Sequence, residues 1–319
     1  MKNNKLIDPE LEPLLQLIPD FKLDLNNLKE NRDLLAQMVD TMKSQLPEVE
    51  GVAIEDHYVS GPMGDPDVKV RVYKPEDRTG KLPGLLWIHG GGYVLGSIDQ
   101  DDITCKHFVE EVECIVVSVE YRLAPEHPYP APVEDCYAAL TWMFDHTDDL
   151  GIENSRLSIG GASAGGGLAA GLALLARDRA EVEIIFQLLI YPMIDDRNIE
   201  SASKDLPDTL IWSRHNNLFG WTSYLDGKAG GEGVSPYAAA ARIADLNNLP
   251  STFIAVGDID LFVVENIEYS QRLIQAGVPT ELHVYPGAFH GFNSFVPSTN
   301  VSKRCNAACN QALKLALHR

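Results

Sequence analysis

The chain has 319 residues, with 26 Lys and Arg against 46 Asp and Glu, giving a formal charge of −20. So acidic a balance favours solubility and excludes the basic surface that nucleic acids and anionic membranes require, so neither is expected as a partner. No apolar run reaches the length of a membrane-spanning helix, and the N-terminal lysines lead into Asp8-Pro9-Glu10 rather than an apolar signal segment, which predicts a cytoplasmic protein.

In chain order, residues 1–50 read as helical: Leu35, Met38, Val39, Met42 and Leu46 recur at helical spacing, and Pro47 stops the run. Val68, Val70 and Val72 then alternate with Lys69 and Arg71, as a half-exposed strand does. After Pro83 the character changes to short continuous apolar runs, Leu85–Ile88, Ile115–Val119, Leu157–Ile159, Ile184–Tyr191, Phe253–Val256 and Leu282–Tyr285. Such runs suit strands buried on both faces. Helical patterns occupy 131–144, 164–178, 262–276 and 302–317, so the alternation predicts a doubly wound α/β sheet. In the last helix Cys305, Ala308, Cys309, Ala312 and Ala316 trace one apolar face, which makes both cysteines buried hydrophobes rather than a metal or redox pair. With Cys105, Cys114 and Cys136 the cysteines are too few, and odd in number, for a disulfide framework. One interval breaks the rhythm. Between Pro192 and Pro250 there is no core strand, yet Leu210, Ile211, Trp212, Phe219, Trp221 and Tyr224 fall there. A connection that long carries structure or function of its own. The expected organisation is therefore an α/β domain of 51–192 and 236–319, with 193–235 and 1–50 together forming a cap.

Two motifs carry chemistry. His89-Gly90-Gly91-Gly92-Tyr93 ends the first buried run in a loop whose N–H groups can converge on one point without Cβ interference. Gly161-Ala162-Ser163-Ala164-Gly165 stands between the run Leu157–Ile159 and an apolar helix, the strand–turn–helix setting of a nucleophilic serine. A serine nucleophile needs a base, and the base needs an orienting carboxylate. In this topology the acid follows the next-to-last strand and the histidine follows the last. His290 has that placement. His57, His107, His127, His146, His215 and His318 do not, His283 lies within the strand, and His89 is expected to hydrogen-bond the glycine loop into shape. Asp258 and Asp260 both follow Phe253–Val256, and the residues alone do not separate them; the other becomes a turn or helix-cap aspartate.

With Glu120-Tyr121-Arg122-Leu123-Ala124-Pro125-Glu126 and His290-Gly291-Phe292 added, the chain resembles the hormone-sensitive-lipase-like (bacterial family IV) esterases over roughly residues 50–319. The resemblance implies an α/β-hydrolase fold, a mostly parallel, doubly wound sheet of about eight strands with a helical cap. The family's acid stands nine residues before a helical tyrosine that precedes a Leu-x-x-Ala-Gly-Val segment. Counting back from Tyr269 (269 − 9 = 260), ahead of Leu273-Ile274-Gln275-Ala276-Gly277-Val278, the resemblance implies Asp260. It also implies that Gly91, Gly92 and Ala164 supply the oxyanion N–H groups, and that Ser163, His290 and Asp260 hydrolyse a small-molecule carboxylic ester through an acyl-enzyme, with no metal or cofactor. A homodimer paired through the edge strand at 281–286 is a further family expectation. Trp212, Phe219 and Trp221 are expected to line the pocket, confining activity to short- and medium-chain esters. Two positions depart from the family: Ala162 stands where it carries Asp or Thr, and its Asp-Pro-Leu-Arg-Asp reads Asp260-Leu261-Phe262-Val263-Val264. Glu120 and Arg122 are expected to form a structural ion pair under the glycine loop, and Asp195 and Asp196 to begin the insertion. The alternatives are an amidase or acyltransferase using the same groups, and a non-catalytic small-molecule receptor, which the intact Ser163, Asp260 and His290 argue against.

Overall fold

The computed structural model describes residues 7–13, 22–45, 48–62, 64–77, 79–198 and 211–319. The N-terminal lysines, Leu46, Pro47 and Leu210 lie outside the described residues. Eight strands form one sheet: β1 (Val52–Val59), β2 (Val68–Pro75), β3 (Leu82–Ile88), β4 (Ile115–Glu120), β5 (Ile152–Ala162), β6 (Phe186–Ile190), β7 (Ser251–Gly257) and β8 (Thr280–Tyr285). Their spatial order is β1-β2-β4-β3-β5-β6-β7-β8. β1 pairs antiparallel with β2, and β2 with β4, while every other pairing is parallel. The expected doubly wound, mostly parallel sheet is therefore present.

The buried runs are explained by the layers around them, except Leu282–Tyr285, which falls in the edge strand β8 and is not buried on both faces. β3 and β6 are buried at every position because helices cover both faces of the sheet. Leu86 and Ile88 pack into one apolar core, Leu85 and Trp87 into another, as the two-residue period of a strand requires. Along the chain the helices are α1 (Leu28–Gln45), α2 (Asp102–His107), α3 (Ala131–Asp145), α4 (Thr147–Leu150), α5 (Ala164–Arg179), α6 (Arg214–Tyr224), α7 (Val263–Gln275), α8 (Phe292–Phe295) and α9 (Asn300–Leu317). α3, α5 and α7 pack into the first core; α9 fills the second, with Cys305 and Cys309 buried in it. Among the described residues, no helix is long and apolar enough to cross a membrane.

β1 was not legible in the sequence. It is an edge strand, mostly open to solvent, so it carries no clean alternation. Its Glu55 and Asp56 pair with Lys74, Lys69 and Arg71 of β2, and charges of this kind blunt an open sheet edge.

Register places the loops that matter side by side. Ile88 at the end of β3 lies opposite Gly161 of β5, so the glycine loop and the segment around Ser163 emerge as neighbours. Gly257 of β7 lies opposite Tyr285 of β8, which brings the loops bearing Asp260 and His290 to the same edge. These are the C-terminal ends of parallel strands, where open α/β sheets gather their functional groups. The helix after Ser163 approaches β3 so closely that a Cβ on Gly165 would collide with the carbonyl oxygens of Ile88 and His89. Gly165→Ala should therefore destabilise the protein by about 1–3 kcal/mol, read as a lower urea midpoint. An unchanged midpoint would mean that α5 can back away from β3 freely.

The described part of the insertion is tied to the N-terminal segment. The Leu23 N–H donates to Asn216 Oδ1 at 3.0 Å, and the Leu23 carbonyl lies 2.8 Å from His215 Nε2, both partners on α6. α1 is held to the domain by Arg32, whose guanidinium reaches Glu126 and the carbonyls of Val94 and Ala124.

Candidate active site

Ser163 is the single residue between β5 and α5. Its backbone sits at φ 57°, ψ −120°, a conformation that residues with a Cβ rarely adopt. The surrounding chain imposes it: the Ser163 N–H donates to the Ile190 carbonyl at 2.9 Å, and its carbonyl accepts the N–H groups of Met193 and Gly167. The segment after β6 that supplies Met193 is pinned in turn by Glu265 of α7, whose carboxyl accepts the N–H groups of Ile194 and Asp195 and the amide of Asn198. Burial raises the Glu265 carboxyl well above its usual range. Nothing in the sequence pattern singled Glu265 out.

His290 faces this serine. Its Nε2 lies 2.9 Å from Ser163 Oγ and its Nδ1 lies 2.8 Å from Asp260 Oδ2. The ring is held edge-on between Tyr191 and Phe262, at 4.8 and 5.1 Å between centroids. The second Asp260 oxygen accepts the Phe262 N–H at 2.9 Å, which fixes the carboxylate plane. A carboxylate can only accept, so Nδ1 carries the proton and Nε2 presents its lone pair to the serine hydroxyl. All three side chains are buried. Asp258, the alternative the residues left open, points elsewhere and accepts the Gly287 N–H at 2.7 Å in the turn after β8.

The glycine loop runs alongside. Gly91 and Gly92 have φ of 121° and 61°, conformations that favour glycine. Among the described residues, the N–H groups of Gly91, Gly92 and Ala164 donate no hydrogen bond, and Ala164 opens α5, where backbone donors lack helical partners. His89 holds the loop as expected: its Nδ1 lies 2.8 Å from the Gly90 carbonyl, and its ring stacks on Tyr121, whose hydroxyl donates to the His89 carbonyl. Burial pushes the His89 imidazole down to about 4, so it is neutral near pH 7.

A cavity of about 180 Å³ opens over Ser163 and His290. Leu35, Met38, Val39 and Met42 of α1 wall one side, the face that the sequence periodicity had marked as apolar. Trp212 lines it too, its indole against Gly92 so closely that a Cβ there would overlap the ring. Phe219 and Trp221 do not line this cavity, contrary to expectation. Trp212 precedes α6, whereas Trp221 lies within it on the face turned to the domain, fully buried against Tyr93, and Phe219 packs on the same core. Tyr191, Ser294, Phe295, Gln100 and Asp101 line the cavity without having been singled out in the sequence.

The sequence profile of the α/β-hydrolase fold matches residues 85–294, from the strand before the glycine loop to just past His290. The chain belongs to the α/β-hydrolase family, in its hormone-sensitive-lipase-like branch. It is 35% identical to the carboxylesterase NlhH of Mycobacterium tuberculosis, over 98% of this chain and 97% of that one. Among solved structures it is similar to a bacterial heroin esterase, with a TM-score of 0.93, 41% identity and 98% of each chain covered. It is also similar to the esterase LipW of Mycobacterium marinum, with a TM-score of 0.90 and 36% identity over 100% of this chain and 98% of that one.

In this hydrolase Glu120 and Arg122 are structural, but they do not pair with each other. β4 ends at Glu120, and the chain then turns: Glu120 accepts the Ile98 N–H behind the glycine loop, while Arg122 forks onto buried Asp135 and reaches Asp65. Asp195 pairs with Arg197, and buried Asp196 with Arg242, which anchors the start of the insertion to the chain before β7. Ala162 lies on the cavity wall beside Ser163, so the departure from the family leaves space where a larger side chain would stand.

Proposed function

We propose that this chain hydrolyses short- to medium-chain carboxylic esters through Ser163, His290 and Asp260. The observation that carries this reading is the continuous relay from Ser163 Oγ through His290 to Asp260, at 2.9 and 2.8 Å, opening on an apolar cavity. Ser163 Oγ attacks the ester carbonyl as its proton passes to His290 Nε2, and Asp260 stabilises the imidazolium. The carbonyl oxygen, now negative, takes hydrogen bonds from the N–H groups of Gly91, Gly92 and Ala164, each worth about 3 kcal/mol to the transition state. The intermediate collapses, the C–O bond breaks, and the alcohol leaves with the proton from His290. Water, deprotonated by His290, then attacks the acyl-enzyme and releases the carboxylic acid and Ser163.

α1 and the 193–235 insertion act as the cap over this chemistry, with Leu35, Met38 and Trp212 bounding the acyl chain. Each methylene that fits should help by about 1 kcal/mol until the wall is met, after which longer chains must displace the cap. Along a series of p-nitrophenyl esters, kcat/KM should therefore rise and then fall. Trp212→Ala should move the maximum toward longer chains. Rates that climb through the longest esters, with activation at a lipid–water interface, would instead mark a lipase and overturn the cap reading.

A further inference from the structure

A second cavity, of about 430 Å³, adjoins the one over Ser163, and the two share wall residues that include Met42, Gln100, Asp101, Ala162, Tyr191 and Ser294. Asp101 is the charged residue on that shared wall. It sits in the short turn before α2, half-buried, and its Oδ2 accepts the indole N–H of Trp87 at 2.8 Å. Among the described residues, no Lys, Arg or His makes an ion pair with it. The contrast with its neighbour is direct: Asp102 is matched by Lys43 and Arg71 and bonded by Tyr73. Lys43, which also lines the larger cavity, is ion-paired to Asp102, and the other titratable residues on those walls are His107, Glu111 and Lys303. The walls of the larger cavity include the aromatic rings of Trp87, Phe108 and Tyr191.

A carboxylate withdrawn from water with no ion-pair partner of its own is short of positive charge. We propose that Asp101 is a specificity-determining residue that selects esters carrying an ammonium group, which it binds at the junction of the two cavities. This rests on the ester-hydrolase reading above and names the substrate class for the same site. The ammonium is a bystander: the C–O bond of the ester breaks and water adds as before. The net charge of −20 draws such cations toward the molecule.

Burial raises the Asp101 carboxyl to about 6, against the opposing pull of the Trp87 N–H and of Lys43. The groups facing it are Asp102 and Cys105 of α2, Lys43 of α1, Tyr121 after β4 and Tyr191 after β6. Burial drives Cys105, Tyr121 and Tyr191 far upward, and Asp102 is lowered by Lys43, Tyr73 and Arg71 despite its burial. Asp101 is ionised above about pH 6 and protonated below, so cation selection is present above that pH and lost beneath it.

The test uses matched pairs that differ only in charge. Butyrylcholine against 3,3-dimethylbutyl butyrate places the cation in the alcohol; p-nitrophenyl 4-(trimethylammonio)butanoate against p-nitrophenyl 5,5-dimethylhexanoate places it in the acyl group. For at least one pair, kcat/KM at pH 8 should favour the cationic ester about tenfold. That ratio should fall toward one in Asp101→Asn, and in the wild-type protein as pH drops from 8 to 5. The ratio cancels any effect of pH on the chemistry that both members share, and the fixed charge of the ammonium leaves only the protein to titrate. A ratio near one for both pairs in the wild-type protein, or a ratio unmoved by Asp101→Asn, overturns the proposal. Hydrolysis of the neutral esters, abolished in Ser163→Ala, tests the underlying reading separately. If that reading fails, equilibrium binding of the four intact esters to the Ser163→Ala protein still decides the inference by the same ratio.

Discussion

Ser163→Ala and His290→Ala should each lower kcat on p-nitrophenyl butyrate by on the order of 10⁴- to 10⁶-fold, and the double variant should be little worse than either. The reason is that the two side chains perform one step. Without Oγ there is no nucleophile for His290 Nε2 to deprotonate, and without the imidazole the hydroxyl 2.9 Å away keeps its proton. What survives is binding and the glycine loop's hydrogen bonds, which neither substitution touches. Alanine at 163 retains the Cβ that already tolerates φ 57°, and the backbone bonds to Ile190, Met193 and Gly167 remain, so the melting curve should stay close to wild type. A fluorophosphonate should label the wild-type protein once, at Ser163, and label neither variant. Substantial turnover by Ser163→Ala would sink the assignment. Absence of labelling in the wild-type protein would favour a ligand-binding receptor on this fold.

The sequence was most legible where backbone geometry admits few residues. The glycine loop and the segment around Ser163 need particular φ values and close approaches, at Gly91, Gly92 and Gly165, and so leave a pattern that reads without coordinates. The buried strands were equally plain, because double coverage by helices demands continuous apolar runs. Legibility failed where the deciding fact was tertiary. β1 carries little pattern because half of its residues are exposed and neither face is fully buried. Trp212 and Trp221 are the same residue type nine positions apart (221 − 212 = 9), and only the start of α6 puts one on the cavity and the other in the core. Asp101 and Asp102 are adjacent aspartates, yet among the described residues Asp102 forms ion pairs with Lys43 and Arg71 and Asp101 forms none. Local propensity cannot register such differences, since they arise from which distant elements pack beside each side chain.

Asp258 and Asp260 pose the same problem in the site itself, and substituting each should separate them sharply. Asp260→Asn should reduce kcat by about 10⁴-fold, while Asp258→Asn should change it by only a few-fold. The hydrogen bonds around Asp260 make asparagine especially damaging. One carboxylate oxygen accepts the buried N–H of Phe262 at 2.9 Å, a donor that cannot be abandoned without penalty. Asparagine will therefore keep its carbonyl oxygen on Phe262 and turn its NH₂ toward His290 Nδ1, where Asp260 now accepts at 2.8 Å. An NH₂ donates, so Nδ1 must give up its proton and accept. The proton then resides on Nε2, and the imidazole can no longer take one from Ser163. At position 258 the same change is nearly silent, because the asparagine carbonyl can accept the Gly287 N–H as the carboxylate does. Measuring kcat for both variants on one ester, with a thermal melt to confirm that each is folded, decides the matter. An inactive Asp258→Asn beside an active Asp260→Asn would reverse the assignment of the acid and, with it, the direction in which His290 is held.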